Sequence, residues 1–299
     1  MSTGKYWLGQ SAWSATRSTL PLPQLPTNML TIPQTRLRLQ HELTKTNFSN
    51  RLLDPSIALK KENLTIADVA TGTGAWCLDF HEKHPDNIIE GLDVNLSEVP
   101  PKSWLPSNFS FHEFDVLKKV PEDFVGRYDV VHMQYVVLFV RDGEVEGLLG
   151  NSLKMLKPGG YLEWGEAHPL QYVFHSSDGI EKAPAARSLH DLQSQIHPEA
   201  VKNWTYLDDI PSVFRKAGFE DVAFVQPEPK PSTLQPLMMN WLWALDEGFE
   251  AVVKRFPEKK ELLEESRTLR EGDVMREARE LKVGLDMRMR RCIGRKPAV

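Results

Sequence analysis

In the middle of the chain, short blocks rich in β-branched and aromatic residues alternate with longer stretches of helical period. Blocks 65–70, 87–93, 109–115, 128–133 and 161–167 predict strands, and 75–84, 143–156 and 207–217 predict helices between or after them. Short strands separated by helices predict a parallel sheet covered on both faces, a doubly wound α/β fold. Lys157-Pro158-Gly159-Gly160 predicts a helix stop and a turn before the fifth strand.

Residues 219–226 predict a sixth strand, stopped by Pro227, Pro229 and Pro231. The alternation of Leu285, Met287 and Met289 predicts a seventh across 284–295. Between them, 234–282 has helical period, with Met238, Met239, Trp241 and Trp243 in its first half and dense charge in its second. The charge run 254–280 predicts a solvated helix face. Upstream, 36–51 predicts a helix, and the Pro-, Ser- and Thr-rich 1–35 an extended arm. The expected layout is thus an arm at 1–35 and one domain at 36–299, with a helical cap inserted at about 234–282.

Composition narrows the function classes. A chain of 299 residues with 41% hydrophobic and 26% charged residues is an ordinary globular protein. A net charge of −5 gives no general attraction to nucleic acid or to an anionic membrane, and neither is an expected partner. No apolar run approaches the ~18 residues of a membrane span. Two cysteines, Cys77 and Cys292, exclude a disulfide scaffold and a cysteine-rich zinc site. No acidic residue precedes Glu42, a faint transit-peptide trait, but Pro21, Pro23 and Pro26 would break an amphipathic helix. The expected location is the cytoplasm, with the nucleus open and organelle targeting disfavoured. His81 and His84 lack zinc-protease spacing and a third ligand, so no metal is expected.

Chemistry concentrates at Asp68-Val69-Ala70-Thr71-Gly72-Thr73-Gly74-Ala75-Trp76, a strand, a glycine turn and a helix start. Gly72 and Gly74 let the backbone bend tightly, and the helix N-terminus offers free N–H groups to an anion. A dinucleotide fingerprint needs a third glycine where Cys77 stands. Asp68 before the turn would oppose a pyrophosphate but suits an ammonium. Asp93, at the next strand end with Val94 beside it, can accept both ribose hydroxyls. Asp115, with Val116, can accept an adenine amino group. This register favours S-adenosylmethionine over a dinucleotide.

The chain resembles the class I S-adenosylmethionine methyltransferases, and within them the fungal secondary-metabolism group. The resemblance is carried by Arg36-Leu37-x-Leu39-Gln40-His41, the glycine-turn segment, Gly91-Leu92-Asp93, Ser103-Trp104-Leu105-Pro106, Tyr128-Asp129-Val130-Val131-His132 and Leu156-Lys157-Pro158-Gly159-Gly160-Tyr161-Leu162-Glu163. It implies a Rossmann-like seven-stranded methyltransferase sheet with N-terminal helices. It implies that Gly72 and Gly74 bind the methionyl end, Asp93 the ribose, and Asp115 with Val116 the adenine. Met133 and Gln134 would line the cofactor near its sulfonium. Ala70 replaces the usual first glycine, a mild change if its dihedrals are those of a strand. Met133-Gln134 also stands where the group often has an arginine.

Methyl transfer from a sulfonium is direct displacement, so the protein mainly aligns the acceptor and excludes water. A general base helps only an acceptor of high pKa. Glu166 and His168, where the fifth strand ends, are the candidates expected to face an acceptor, and His132 is a third. His41 is read evenly as a residue closing over the site or a helix-docking one. The expected acceptor is the O, N or S of a small secondary metabolite. Three alternatives stay open: a regulator acting through protein partners, a cofactor-binding enzyme catalysing a rearrangement, and transfer of an aminoalkyl group. Acceptor identity and oligomeric state are not set by the sequence.

Overall fold

Five β-rich blocks become the parallel half of one sheet: β1 (Thr65–Val69), β2 (Ile88–Asp93), β3 (Phe109–Glu113), β4 (Tyr128–Gln134) and β5 (Leu156–Glu166). The structure is a computed structural model that describes residues 32–57, 63–177, 182–196 and 204–298. β7 (Glu220–Val225) and β9 (Arg290–Arg295) complete seven strands in the order β3-β2-β1-β4-β5-β9-β7. β9 runs antiparallel to both its neighbours, which departs from a wholly parallel sheet.

Strand period sorts the side chains. In register across β1, β4 and β5, Asp68, His132 and Glu163 share one face, while Val69, Met133 and Trp164 share the other. The first face packs against α2 (Ala75–Lys83) through Ile66, Val130, Trp76 and Phe80. The second packs Met133 and Trp164 against α3 (Asp142–Met155) and α5 (Ile210–Ala217). α3 starts where Glu144 accepts the Arg141 N–H at 2.9 Å. α5 starts at Asp209, whose side chain accepts the Ser212 N–H at 3.0 Å, and stops at Gly218, φ 100°.

Several expected boundaries are corrected. α1 (Ile32–Asn47) begins four residues before 36, so 32–35 are helix; the rest of the expected arm lies outside the described residues. β5 begins at Leu156, which pairs with Tyr128 ahead of a register shift, so the expected turn at 157–160 lies inside the strand, with Gly159 at φ 76°. The expected strand 284–295 divides in two. β8 (Gly284–Asp286) pairs with a further strand, β6 (Val173–His175), in a separate ribbon, while β9 joins the main sheet. Asp286 accepts the Arg288 N–H at 2.8 Å, and Arg288 takes φ 52°, making the corner.

The cap has more parts than 234–282 alone. α6 (Pro231–Arg255), α7 (Lys260–Leu269), a π-helical turn Arg270–Val274 and α8 (Met275–Glu280) join α4 (Pro184–Ile196), which lies in the 170–205 stretch that no motif covered. Their shared core holds Leu189, Leu237, Met238, Trp241, Val274 and Leu285. α1 lies against α6, where Asn47 Oδ1 accepts from Thr233 Oγ1 at 3.0 Å and Asn240 Nδ2 donates to the Arg36 carbonyl at 2.8 Å. No helix among the described residues is long and apolar enough to cross a membrane.

Candidate active site

One cavity of about 1050 Å³ opens at the carboxyl ends of β1, β2 and β4 and continues beneath the helical cap. Single drug-sized ligands fill ~300–1,000 Å³, so there is room for a nucleoside and a second molecule.

The nucleoside end is built on the glycine turn. Gly72 has φ 57° and open space where a Cβ would sit, which leaves its backbone free to meet a ligand. Gly74 has φ 73°, and a Cβ there would lie 2.5 Å from the Phe111 ring. Both conformation and contact therefore require glycine. No side chain caps α2, so the N–H groups of its first turn are left for a ligand carboxylate. Asp93 Oδ2 accepts the Gly72 N–H at 2.8 Å, and Oδ1 accepts the Asn95 N–H at 3.1 Å. Each oxygen keeps a lone pair for a ribose hydroxyl. Asp115 Oδ1 takes the Leu117 N–H at 3.0 Å, and Val94, Val116 and Gln134 line the same wall. These donors and acceptors fit a zwitterionic amino acid joined to a nucleoside.

Two cofactor expectations change. Ala70 has φ 57°, the left-handed region and not strand dihedrals, because the chain reverses there to begin the glycine turn. An L-residue pays roughly 1–2 kcal/mol for that conformation. Met133 does not line the cavity; it is fully buried on the opposite face of β4 from His132 and Gln134. Asp68 lines the cavity, but its carboxylate already accepts from His132 Nδ1 at 2.7 Å and Thr71 Oγ1 at 2.6 Å. By the same count as at Asp93, a lone pair is left over for a ligand ammonium.

The catalytic expectations change further. Glu166 follows Trp164 on the core face, 2% exposed, and does not line the cavity. Its carboxyl accepts N–H groups from Val137 at 3.0 Å, Ala167 at 3.0 Å and the Trp164 indole at 3.2 Å. Burial nevertheless pushes it up to about 7. It fastens the turn after β4. His168 also lies off the cavity, with Nε2 3.1 Å from Asp208, and burial lowers its pKa against that partner. His132 does line the cavity. Its ring stacks on Trp76 at 4.0 Å, Asp68 fixes Nδ1 as the donor, and Nε2 is buried without a partner.

His41 borders the cavity, but its Nε2 is 2.9 Å from Asp79, which also accepts from Lys45 at 2.6 Å. His41, Glu42 and Asp79 come close enough for a metal, yet Lys45 already contacts both carboxylates and supplies the cation.

The second half of the cavity contains residues that no motif marked. Tyr135 holds φ 59°, an uncommon conformation for a bulky side chain and one that concentrates at functional sites. Its hydroxyl donates to Thr44 Oγ1 at 2.6 Å, since Thr44 gives its own hydrogen to the Gln40 carbonyl. Burial pushes Tyr135 up to about 12, so it stays neutral. Tyr172, His190 and Trp241 form an aromatic wall with ring centroids 5.5–6.4 Å apart. Trp241 lines the cavity and is also buried in the core of the cap, whereas Trp243 is 38% exposed and off the cavity. His190 Nε2 must donate to the Pro169 carbonyl, 2.6 Å away, leaving Nδ1 as the basic nitrogen. The amphipathic period of α4 is the one signal that could have drawn attention to His190.

The chain is similar to several known proteins. N-methyltransferase verN of Clonostachys rogersoniana is 30% identical over 191 residues, 62% of each chain. Methyltransferase grgD of a Penicillium species is 35% identical over 144 residues, 44% of this chain and 48% of that protein. This chain thus spans about half to three fifths of the length of these curated relatives. The solved structure of Haemonchus contortus phosphoethanolamine N-methyltransferase 2 with S-adenosylmethionine has a TM-score of 0.48 at 14% identity, covering 85% of this chain and 52% of that one. The methyltransferase domain family matches residues 38–223, more than half of the sequence, and the chain belongs to that family.

Proposed function

We propose that the chain is an S-adenosylmethionine-dependent methyltransferase whose acceptor is the O, N or S of a small secondary metabolite. The observation that carries this reading is the continuity of one cavity, from the glycine turn, Asp93 and Asp115 to the wall of Tyr172, His190 and Trp241. The relative named as an N-methyltransferase supports nitrogen among the three acceptor atoms.

When bound, S-adenosylmethionine supplies a methyl group on a sulfonium sulfur, already activated for displacement. The first turn of α2 would hold the methionyl carboxylate, Asp93 the ribose, and Asp115 with Val116 the adenine. Tyr135 and Gln134 border the passage between the two halves, and the cap excludes water while fixing the acceptor. His190 Nδ1 is the basic atom on the acceptor wall and can take the proton of a weakly acidic acceptor. A deep, walled cavity supports an enzyme over a regulator acting only through protein partners.

The test is transfer of tritium from S-adenosyl-[methyl-³H]methionine into organic-extractable material, using a small-metabolite extract. Labelled product from wild type and none from Asp93→Ala is expected. Cofactor binding without transfer to any fraction would favour the regulator or rearrangement reading.

A further inference from the structure

Among the described residues, four buried side-chain atoms lack a hydrogen-bond partner: His132 Nε2, Glu163 Oε1, His175 Nε2 and Glu247 Oε1. Of these residues only His132 and Glu247 line the cavity, and only Glu247 belongs to the cap. Its other oxygen, Oε2, accepts from Arg36 Nε at 2.7 Å, with the two side chains 21% and 14% exposed. Arg36 is itself held by Gln40 Oε1 at 3.1 Å. The carboxylate is therefore held by a fixed partner on α1, while Oε1 has no donor. A buried carboxylate oxygen is costly in that state, so the site is complete only when a ligand supplies a donor.

The surroundings define that ligand. Arg36 already balances the charge of Glu247. Arg270, the other cation on the cavity wall here, contacts Asp246 at 2.5 Å and Glu271 at 3.1 Å. An ammonium at Oε1 would add an unbalanced charge to a largely buried pair, whereas a neutral N–H or O–H would not. Leu37, Leu245 and Leu263 supply apolar surface, and Trp241 with Tyr172 supplies ring faces.

We infer that Glu247 is the specificity residue of the acceptor chamber, and that it selects a flat aromatic molecule bearing an uncharged N–H or O–H donor. This names the acceptor class of the proposed methyl-transfer site and rests on that reading. Glu247 anchors the acceptor from the cap, and His190 and the strand ends remain the chemical end.

Indole and 1-methylindole, which differ by the donor hydrogen, are suitable probes in saturation-transfer NMR with and without S-adenosylhomocysteine. Wild type is expected to bind indole about tenfold tighter than 1-methylindole, the scale of one hydrogen bond to a charged group. Glu247→Gln keeps an acceptor oxygen and is expected to keep most of the preference. Glu247→Leu, with its fold checked by circular dichroism, is expected to bind both probes equally. Absence of indole binding, equal binding by wild type, or a preference that survives Glu247→Leu would each overturn the inference. Failure of S-adenosylhomocysteine to bind is a separate result that counts against the methyl-transfer reading itself.

Discussion

Arg291 and Glu163 offer a quantitative test of how the sheet supports the site. Glu163 is fully buried and Arg291 is 3% exposed, with Nη1 and Oε1 3.5 Å apart. Glu163 also accepts the Asp54 N–H at 2.6 Å, and Arg291 donates to the Arg51 carbonyl at 3.0 Å while lying over the Phe48 ring. The pair thus ties the segment after α1 onto the face that carries Asp68 and His132. Arg291→Met removes the cation and leaves a buried charge, which costs about 3–5 kcal/mol. With an unfolding entropy of about 2.1 cal/mol/K per residue, that corresponds to roughly 5–8 °C in melting temperature. Burial already raises the Glu163 pKa, with Arg291 opposing the rise, so the variant raises it further. A carboxyl whose folded pKa lies above its unfolded one binds more protons when folded. Its destabilising effect is absent below the unfolded pKa and grows as pH rises toward the folded one. The loss is therefore smaller at pH 5 than at pH 8. Adding Glu163→Gln, which keeps an acceptor for Asp54, is expected to recover at least half of it. Urea unfolding of the single and double variants at both pH values measures this. Equal losses at pH 5 and 8, with no recovery in the double variant, would refute the buried-pair reasoning.

Other expectations are simpler to measure. Ala70→Gly relieves the left-handed strain of roughly 1–2 kcal/mol but loosens the unfolded chain by about 0.4–1, so thermal unfolding should show a net gain near 0.5–1. Gly74→Ala places a methyl against Phe111 at φ 73°, and overpacking of about 1–3 kcal/mol should appear in urea unfolding together with weakened nucleoside binding. Glu166, at about 7 when folded, should make stability fall between pH ~5 and ~7 by about 2 kcal/mol; Glu166→Gln should flatten that slope in urea midpoints. His190→Gln should lower kcat about a hundredfold for a weakly acidic acceptor, leaving the KM for the cofactor unchanged.

Much of the cofactor half was legible because its chemistry sits at strand ends fixed by one glycine turn. Asp93, Asp115 and Gly72 line the cavity as their spacing suggested, while Gly74 lies off it against Phe111. The acceptor half was not, because strand period and long-range register decide which face a residue takes. Met133 lies one residue from His132 and Gln134, and Glu166 one residue from Ala167, all three of which line the cavity, and sequence proximity hid that alternation. Ala70 looked like a strand residue because nothing local distinguishes its last peptide from a turn. Glu247 and His190 come from α6 and α4, whose meeting at the cavity depends on tertiary packing that no single segment encodes.

A nucleoside-sulfonium site on the glycine turn can be tested by calorimetry of S-adenosylmethionine binding to wild type and Asp93→Ala. Wild type is expected to show saturable one-site binding, and the variant at least a tenfold loss, the scale of a hydrogen bond to a charged group. No binding to a folded wild type, or equal affinity in both proteins, would contradict it.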